Sequence, residues 1–279
     1  MNYKCLALLF LVFNFIFVFS CNGGKMSEKE FVFKTLHDVS QSAWDNLSEK
    51  KIFFGHRSVG NNIIAGIMDL VQQHPKIKLR IVETNDPADF NAPLFGHAKN
   101  GENQDPSSKI AGFASALNKG IGNKADIAFF KFCFVDIIDK TDIQKVFGDY
   151  VNTMSYLKNK YPKTIFIHVT VPLSVTRTTI KTWIKKIMGK KKIWEYDHNV
   201  RKNQFNDLLR DEYGDKEPIF DLARAESTFP DGRRSTFTKE GNSYYSLVPD
   251  YTRDGGHLNE LGRKKVAEQL LILLANLSG

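Results

Sequence analysis

Residues 251–262, YTRDGGHLNELG, place an aspartate and a histidine three residues apart across two glycines. A histidine that works as a general base needs an acceptor on Nδ1 to fix its tautomer and ring orientation. A carboxylate three residues earlier, on a glycine turn, reaches back to supply one. Asp254 and His257 are therefore a candidate orienter and base, and Asn259 a candidate cap for the helix that follows. The same string also describes an ordinary loop with a satisfied surface histidine.

Two further loops could complete the chemistry. In FFGHRSVGNN, residues 53–62, an apolar run meets glycine and Ser58 stands where the next helix begins. The helix N-terminus favours negative charge there, and the Ser58 N–H could face a developing oxyanion. The alternative is a plain helix cap. In FGHAKNGENQDP, residues 95–106, Gly101 offers a backbone N–H and Asn103 a side-chain amide, both suitable oxyanion donors or simple turn residues. His56, Arg57 and His97 flank these loops and are candidates to bind substrate. The remaining histidines show no HxxxH or similar metal spacing, and no metal or organic cofactor is required.

Hydrophobic patterning supplies the elements that would position these loops. Apolar runs predict strands at 51–55, 77–83, 126–132, 164–171 and 218–222. Apolar faces predict helices at 59–73, 107–117, 141–160, 197–213 and 259–277, with a helical lead-in at 27–50. Residues 85–105 read as one long loop. Five alternations of strand and helix imply right-handed crossovers. The expected fold is α/β: a three-layer α/β/α sandwich around a central, mostly parallel five-stranded sheet of flavodoxin-like winding. Ligands of such sheets bind at the carboxyl ends of the strands, which is where the three loops lie.

Serine first and Asp-His last, in this order over about residues 50–276, resemble the SGNH (GDSL-type) hydrolase superfamily. DGGHLNELG resembles that family's last block, and GHRSVG a variant of its first. The first block here has one extra residue and no Asp. The resemblance implies a Ser58–His257–Asp254 triad. It also implies an oxyanion hole from the Ser58 N–H and Gly101 (with Gly96 as the alternative); Asn103 is a candidate third donor by its position, not by the resemblance. The family's Asn block is missing after the third predicted strand, where KFCFVDI offers Lys131 and Cys133.

The N-terminus is of another kind. Residues 1–20, MNYKCLALLFLVFNFIFVFS, combine an early lysine with a short apolar core, as secretory signal peptides do; an uncleaved anchor is the alternative. Val18-Phe19-Ser20-Cys21 resembles a bacterial lipobox, which implies lipidation of Cys21 as the mature N-terminus. The division expected is thus a signal at 1–20, a linker and lead-in at 21–50, and an SGNH-like domain at 51–279 with a basic insert at 174–196. Only Cys133 remains in the folded part, within an apolar run, as a buried small hydrophobe.

The chain has 279 residues, 42% of them hydrophobic and 25% charged, which excludes collagen, coiled-coil and disordered classes. Its net charge of +8 is concentrated near the insert: Arg177, Lys181, Lys185, Lys186, Lys190, Lys191, Lys192, Arg201 and Lys202 face only Glu195 and Asp197. In an exported chain such a patch suits an anionic glycan or a lipid surface rather than nucleic acid, or is a solvated helix face. Ile180, Trp183, Ile184, Ile187 and Met188 give the insert an amphipathic, lid-like pattern. Tyr244, Tyr245 and Tyr251 are candidates to stack on sugar rings.

The expected activity is that of an exported, membrane-anchored esterase facing the periplasm or cell exterior. It would cleave an acyl ester, acetyl included, of a small molecule or glycan. An O-acyltransferase on an extracytoplasmic polysaccharide and a non-catalytic glycan-binding lipoprotein are the alternatives.

Overall fold

Strand β1 (Lys51–His56) runs through the middle of the molecule, and the order of its neighbours fixes the architecture. The structure, a computed structural model, describes residues 33–176 and 194–279, all within the unit Val32–Gly279. The segment expected to be a signal, Cys21 and residues 177–193 of the expected basic insert lie outside the described residues.

The elements follow as α1 (Gln41–Ser48), β1, α2 (Val59–Gln73), β2 (Ile81–Glu83), β3 (Leu94–Lys99), α3 (Pro106–Asn118), β4 (Ile127–Phe130) and α4 (Ile143–Lys160). After them come β5 (Ile165–Val169), α5 (Trp194–Tyr213), β6 (Ile219–Phe220), α6 (Leu222–Ser227), a hairpin of β7 (Thr236–Lys239) and β8 (Asn242–Tyr245), and α7 (Glu260–Ser278).

The main sheet is parallel and six-stranded, in the order β2-β3-β1-β4-β5-β6. The expected count of five is corrected by β3, which fell inside the segment read as a loop. Its sequence, LFGHAK, carries a glycine and a terminal lysine and shows little strand propensity. Pairing with β1 along its whole length, Lys51 opposite Leu94 through His56 opposite Lys99, makes it a strand nonetheless. Gly96 belongs to this packing: a Cβ there would lie 2.5 Å from the Phe90 ring. Without the three-residue edge strand β2, the order is the flavodoxin-like 2-1-3-4-5.

Alternation along each strand splits the core into two layers. Ile52, Phe54, Phe95 and Phe129 face α1, α2 and α7. Phe53, Leu94, Phe130 and Phe166 face α3, α4 and α5. The lead-in joins the first layer through Trp44 and Leu47, so it belongs to the folded core; only α1 and a short turn at Leu36–Asp38 are helical in its described part. The chain leaves β1 toward β3 on one side and reaches β4 on the other, so the switch point lies at the carboxyl end of β1.

Candidate active site

Ser58 stands at that switch point, two residues beyond β1. Its backbone has φ 54° and ψ −112°, a left-handed conformation rare for a side-chain-bearing residue. Such a conformation costs on the order of 1–3 kcal/mol and persists only where its surroundings enforce it. The enforcement is visible. Gly60 N–H donates to the Arg57 carbonyl at 3.0 Å and Asn61 N–H to the Ser58 carbonyl at 2.8 Å, closing a tight elbow between strand and helix. The Ser58 hydroxyl makes no capping bond to α2. It lies instead 2.6 Å from His257 Nε2.

The His257 side is built on the turn expected from sequence. Nδ1 is 2.7 Å from Asp254 Oδ2. The other carboxylate oxygen accepts the backbone N–H groups of Gly256 at 2.9 Å and His257 at 2.8 Å. Gly255 has φ 96°, which lets the turn close, and a Cβ on Gly256 would meet the Phe134 ring at 2.6 Å. Phe134 packs edge-on to the imidazole at 5.3 Å between centroids. Burial pushes the Asp254 carboxyl up, but the Gly256 and His257 N–H donors and the imidazole outweigh it. The group is held well below the usual carboxylate range, an anion facing Nδ1. Asn259 caps α7, accepting from Gly262 N–H at 3.0 Å. Asn62 of α2 accepts from Leu258 N–H at 3.2 Å and ties the turn to the elbow helix.

The loop after β3 lies beside the elbow because β3 pairs with β1. Arg57 Nη2 contacts Glu102 Oε1 at 2.5 Å across the two. Gly101 has φ 58°, and a Cβ there would sit 2.5 Å from the Lys109 nitrogen, so only glycine fits. Asn103 Oδ1 accepts from Lys109 Nζ at 3.1 Å, which turns its amide nitrogen away from that lysine. Lys109 and Asp136 form a fully buried ion pair at 2.7 Å. Asp136 also accepts the N–H groups of Gln104 at 2.8 Å and Cys133 at 2.6 Å. One buried carboxylate thus fastens the β3 loop to the β4 loop. No sequence motif marked this pair, because a lysine and an aspartate 27 residues apart carry no local pattern.

The other candidates are placed differently. His56 is 2% exposed and lies beneath α2, where a Cβ on Gly60 would come within 2.4 Å of it. Its Nε2 is 3.1 Å from His97 Nδ1. Burial, with Lys131 and His97 nearby, pushes His56 down to about 3, and burial also lowers His97 against the pull of Glu83. The two histidines support the elbow from below; neither lines the cavity beside the triad. Arg57 is engaged with Glu102. Tyr251 is fully buried, its hydroxyl donating to the Thr228 carbonyl at 2.9 Å. Tyr244 stacks on Phe237, and Arg234 covers Tyr245 at 3.7 Å, so the three tyrosines are packing residues. Cys133 is buried as expected, and its Sγ is 3.5 Å from the Arg57 carbonyl.

A cavity of about 580 Å³ opens beside the triad, with Asp254, Gly255, Gly256 and His257 on its wall. Phe134, Val135 and Ile138 give it an apolar side, and Glu195, His198 and Lys202 a polar one. These six come from a loop after β4 and from one face of α5, distant in the chain, so no local pattern marks them as lining one cavity. Ser174, where the basic insert was expected to begin, and Glu195, close to its end, both stand on this cavity.

No family model and no curated protein matches the chain. Among solved structures it is similar to a lipolytic protein assigned to the G-D-S-L family from Desulfitobacterium hafniense, at 10% identity over 80% of this chain and 99% of that one, TM-score 0.45. A protein assigned as a GDSL-like lipase from Parabacteroides merdae is similar at 11% identity over 82% of this chain and 98% of that one, TM-score 0.46. The salicylyl-acyltransferase SsfX3 of a tetracycline biosynthetic pathway is similar at 13% identity over 82% of this chain and 55% of that one, TM-score 0.43.

Proposed function

We propose that the chain is a serine hydrolase of the SGNH type that transfers the acyl group of an ester to water. The single observation that carries this reading is the Ser58–His257–Asp254 chain of contacts at 2.6 and 2.7 Å, on an elbow whose strained serine forgoes its capping role. In the proposed cycle Ser58 Oγ attacks the ester carbonyl while His257 Nε2 takes its proton. Asp254 stabilises the imidazolium. The Ser58 and Gly101 N–H groups and the Asn103 amide are the proposed oxyanion donors. His257 then returns the proton to the leaving alcohol, and later activates the water that releases the acid.

The same steps with a sugar hydroxyl in place of water make an O-acyltransferase. The cavity beside His257 favours that second reading, since it has room for an acceptor. We also propose that the protein is exported and lipid-anchored at Cys21, and that its ester is borne by a glycan or a small polar molecule.

The test is hydrolysis of p-nitrophenyl acetate. Ser58→Ala and His257→Ala should each lower kcat/KM by roughly 10³-fold or more, and a fluorophosphonate should label Ser58. Full activity in both variants, or label on another residue, would sink the triad assignment.

A further inference from the structure

The leaving alcohol of an ester must lie against the base, because the proton that the base took from serine goes to that oxygen. His257 stands on the wall of the cavity, together with Asp254, Gly255 and Gly256. The cavity thus adjoins the base and not the serine, and in the acyl-transfer reading it is the space open to the alcohol portion. Its volume, about 580 Å³, suits a small organic group with one or two rings.

The polar wall is one face of α5. Glu195, His198 and Lys202 are spaced three and four residues apart and so line up along the helix. Lys202 is the inner member, 1% exposed. Its Nζ donates to Ser174 Oγ at 2.7 Å, reaches Asn199 Oδ1 at 3.4 Å and sits 5.7 Å from the Phe134 ring centre. These partners are all neutral. Among the described residues no carboxylate lies within ion-pair distance of this ammonium. Glu226, on α6, is fully buried, and burial pushes it up to about 8, so it stays mostly protonated at neutral pH. Burial lowers Lys202 to about 7 against the pull of Glu226, so the amine readily gives up its charge unless an anion beside it holds the proton.

We propose that the cavity binds the alcohol portion of the ester through an anionic substituent, a carboxylate or phosphate, held by Lys202. The proposal rests on the acyl-transfer reading above for which part of the substrate enters. Phe134 then packs against the ring of the alcohol between His257 and Lys202, both of which it already touches. Glu195 lies about 10 Å from Lys202 along the helix and accepts from hydroxyl groups at the other end. The substrate class is an acylated uronic acid or an acylated sugar phosphate.

Binding is measured by calorimetry on the full chain carrying Ser58→Ala, which holds ligand without turnover. The probes are the methyl glycoside of galacturonic acid with its carboxylate free, glucose 6-phosphate and the neutral methyl galactoside. At least one anionic probe should bind tenfold or more tighter than the neutral one, and the tighter of the two anions identifies the substituent. Adding Lys202→Met, or Lys202→Gln (which keeps a donor toward Ser174), should remove that preference. In the Lys202-intact enzyme, kcat/KM should favour the acetylated anionic glycoside over its neutral counterpart by at least tenfold. Equal binding of neutral and anionic probes, or a preference kept in a folded Lys202 variant, would overturn the proposal. Ser58-dependent cleavage of p-nitrophenyl acetate reports separately on the acyl-transfer reading. Lys202-dependent anion binding without that cleavage would overturn the esterase and leave the anion site standing.

Discussion

His56 sits directly before the elbow, buried, with Nδ1 making no hydrogen bond among the described residues. A neutral imidazole is required there: the folded form resists protonation down to about pH 3, whereas the unfolded chain takes a proton near the ordinary 6.5. The folded pKa is depressed, so stability is lost as pH falls through the window from 6.5 to 3, at roughly 1.4 kcal/mol per pH unit. His97 and His168, also lowered by burial, add to the slope. Between pH 7 and pH 5, chemical denaturation should show a loss of about 2 kcal/mol from His56 alone. His56→Gln, which keeps a polar group for His97 and does not titrate, should flatten the dependence by about one proton. An unchanged slope would mean that His56 is protonated in the fold. At this scale the sequence was readable where function is local. Asp254 and His257 share one turn, so their spacing announces their contact. Lys202 and Phe134 come from separate elements, and nothing in either segment signals that they meet.

The elbow is a property of β1 and α2 together. Gly60 in the first turn of α2 lies on the His56 ring, and a Cβ there would meet the His56 Cβ at 2.4 Å. Gly60→Ala should lift that turn, cost about 2–3 kcal/mol and lower kcat/KM at least tenfold, because Ser58 moves with it. Gly148→Ala is the matched control. Nothing lies within 4 Å of that position on α4, so helix propensity should make it neutral or stabilising by up to about 1 kcal/mol. If both substitutions behave alike, the clash with His56 is not what holds the elbow. The element series was legible in outline: α2, α3, α4, α5, α7, β1, β4 and β5 all lie where periodicity puts them, to within a few residues. β3 was not legible, because its evidence is a partner strand 43 residues away, Lys51 opposite Leu94. The predicted strand at 77–83 shrinks to Ile81–Glu83 for a related reason: it pairs only with β3, at the sheet edge.

The folded unit runs from Val32 onward, and the leader proposed above lies outside it. The proposed lipid anchor is a separate proposal from the esterase, with a separate test. Radiolabelled palmitate should enter the wild-type protein in its native host and disappear in Cys21→Ser, while esterase activity stays with the folded unit. Label retained in Cys21→Ser would remove the anchor from the account. Within the folded unit, Ser58 and His257 are 199 residues apart. The serine is on the second helix boundary of the described chain and its base just ahead of α7, joined across space by Asn62 and Leu258. A ribosome that has delivered the serine has therefore delivered no base. On the proposed mechanism the nascent protein is inert until nearly all of its folded unit exists and α7 docks on α2. By the same proposal, a chain that stops anywhere between the two residues keeps the serine and lacks the base that would deprotonate it.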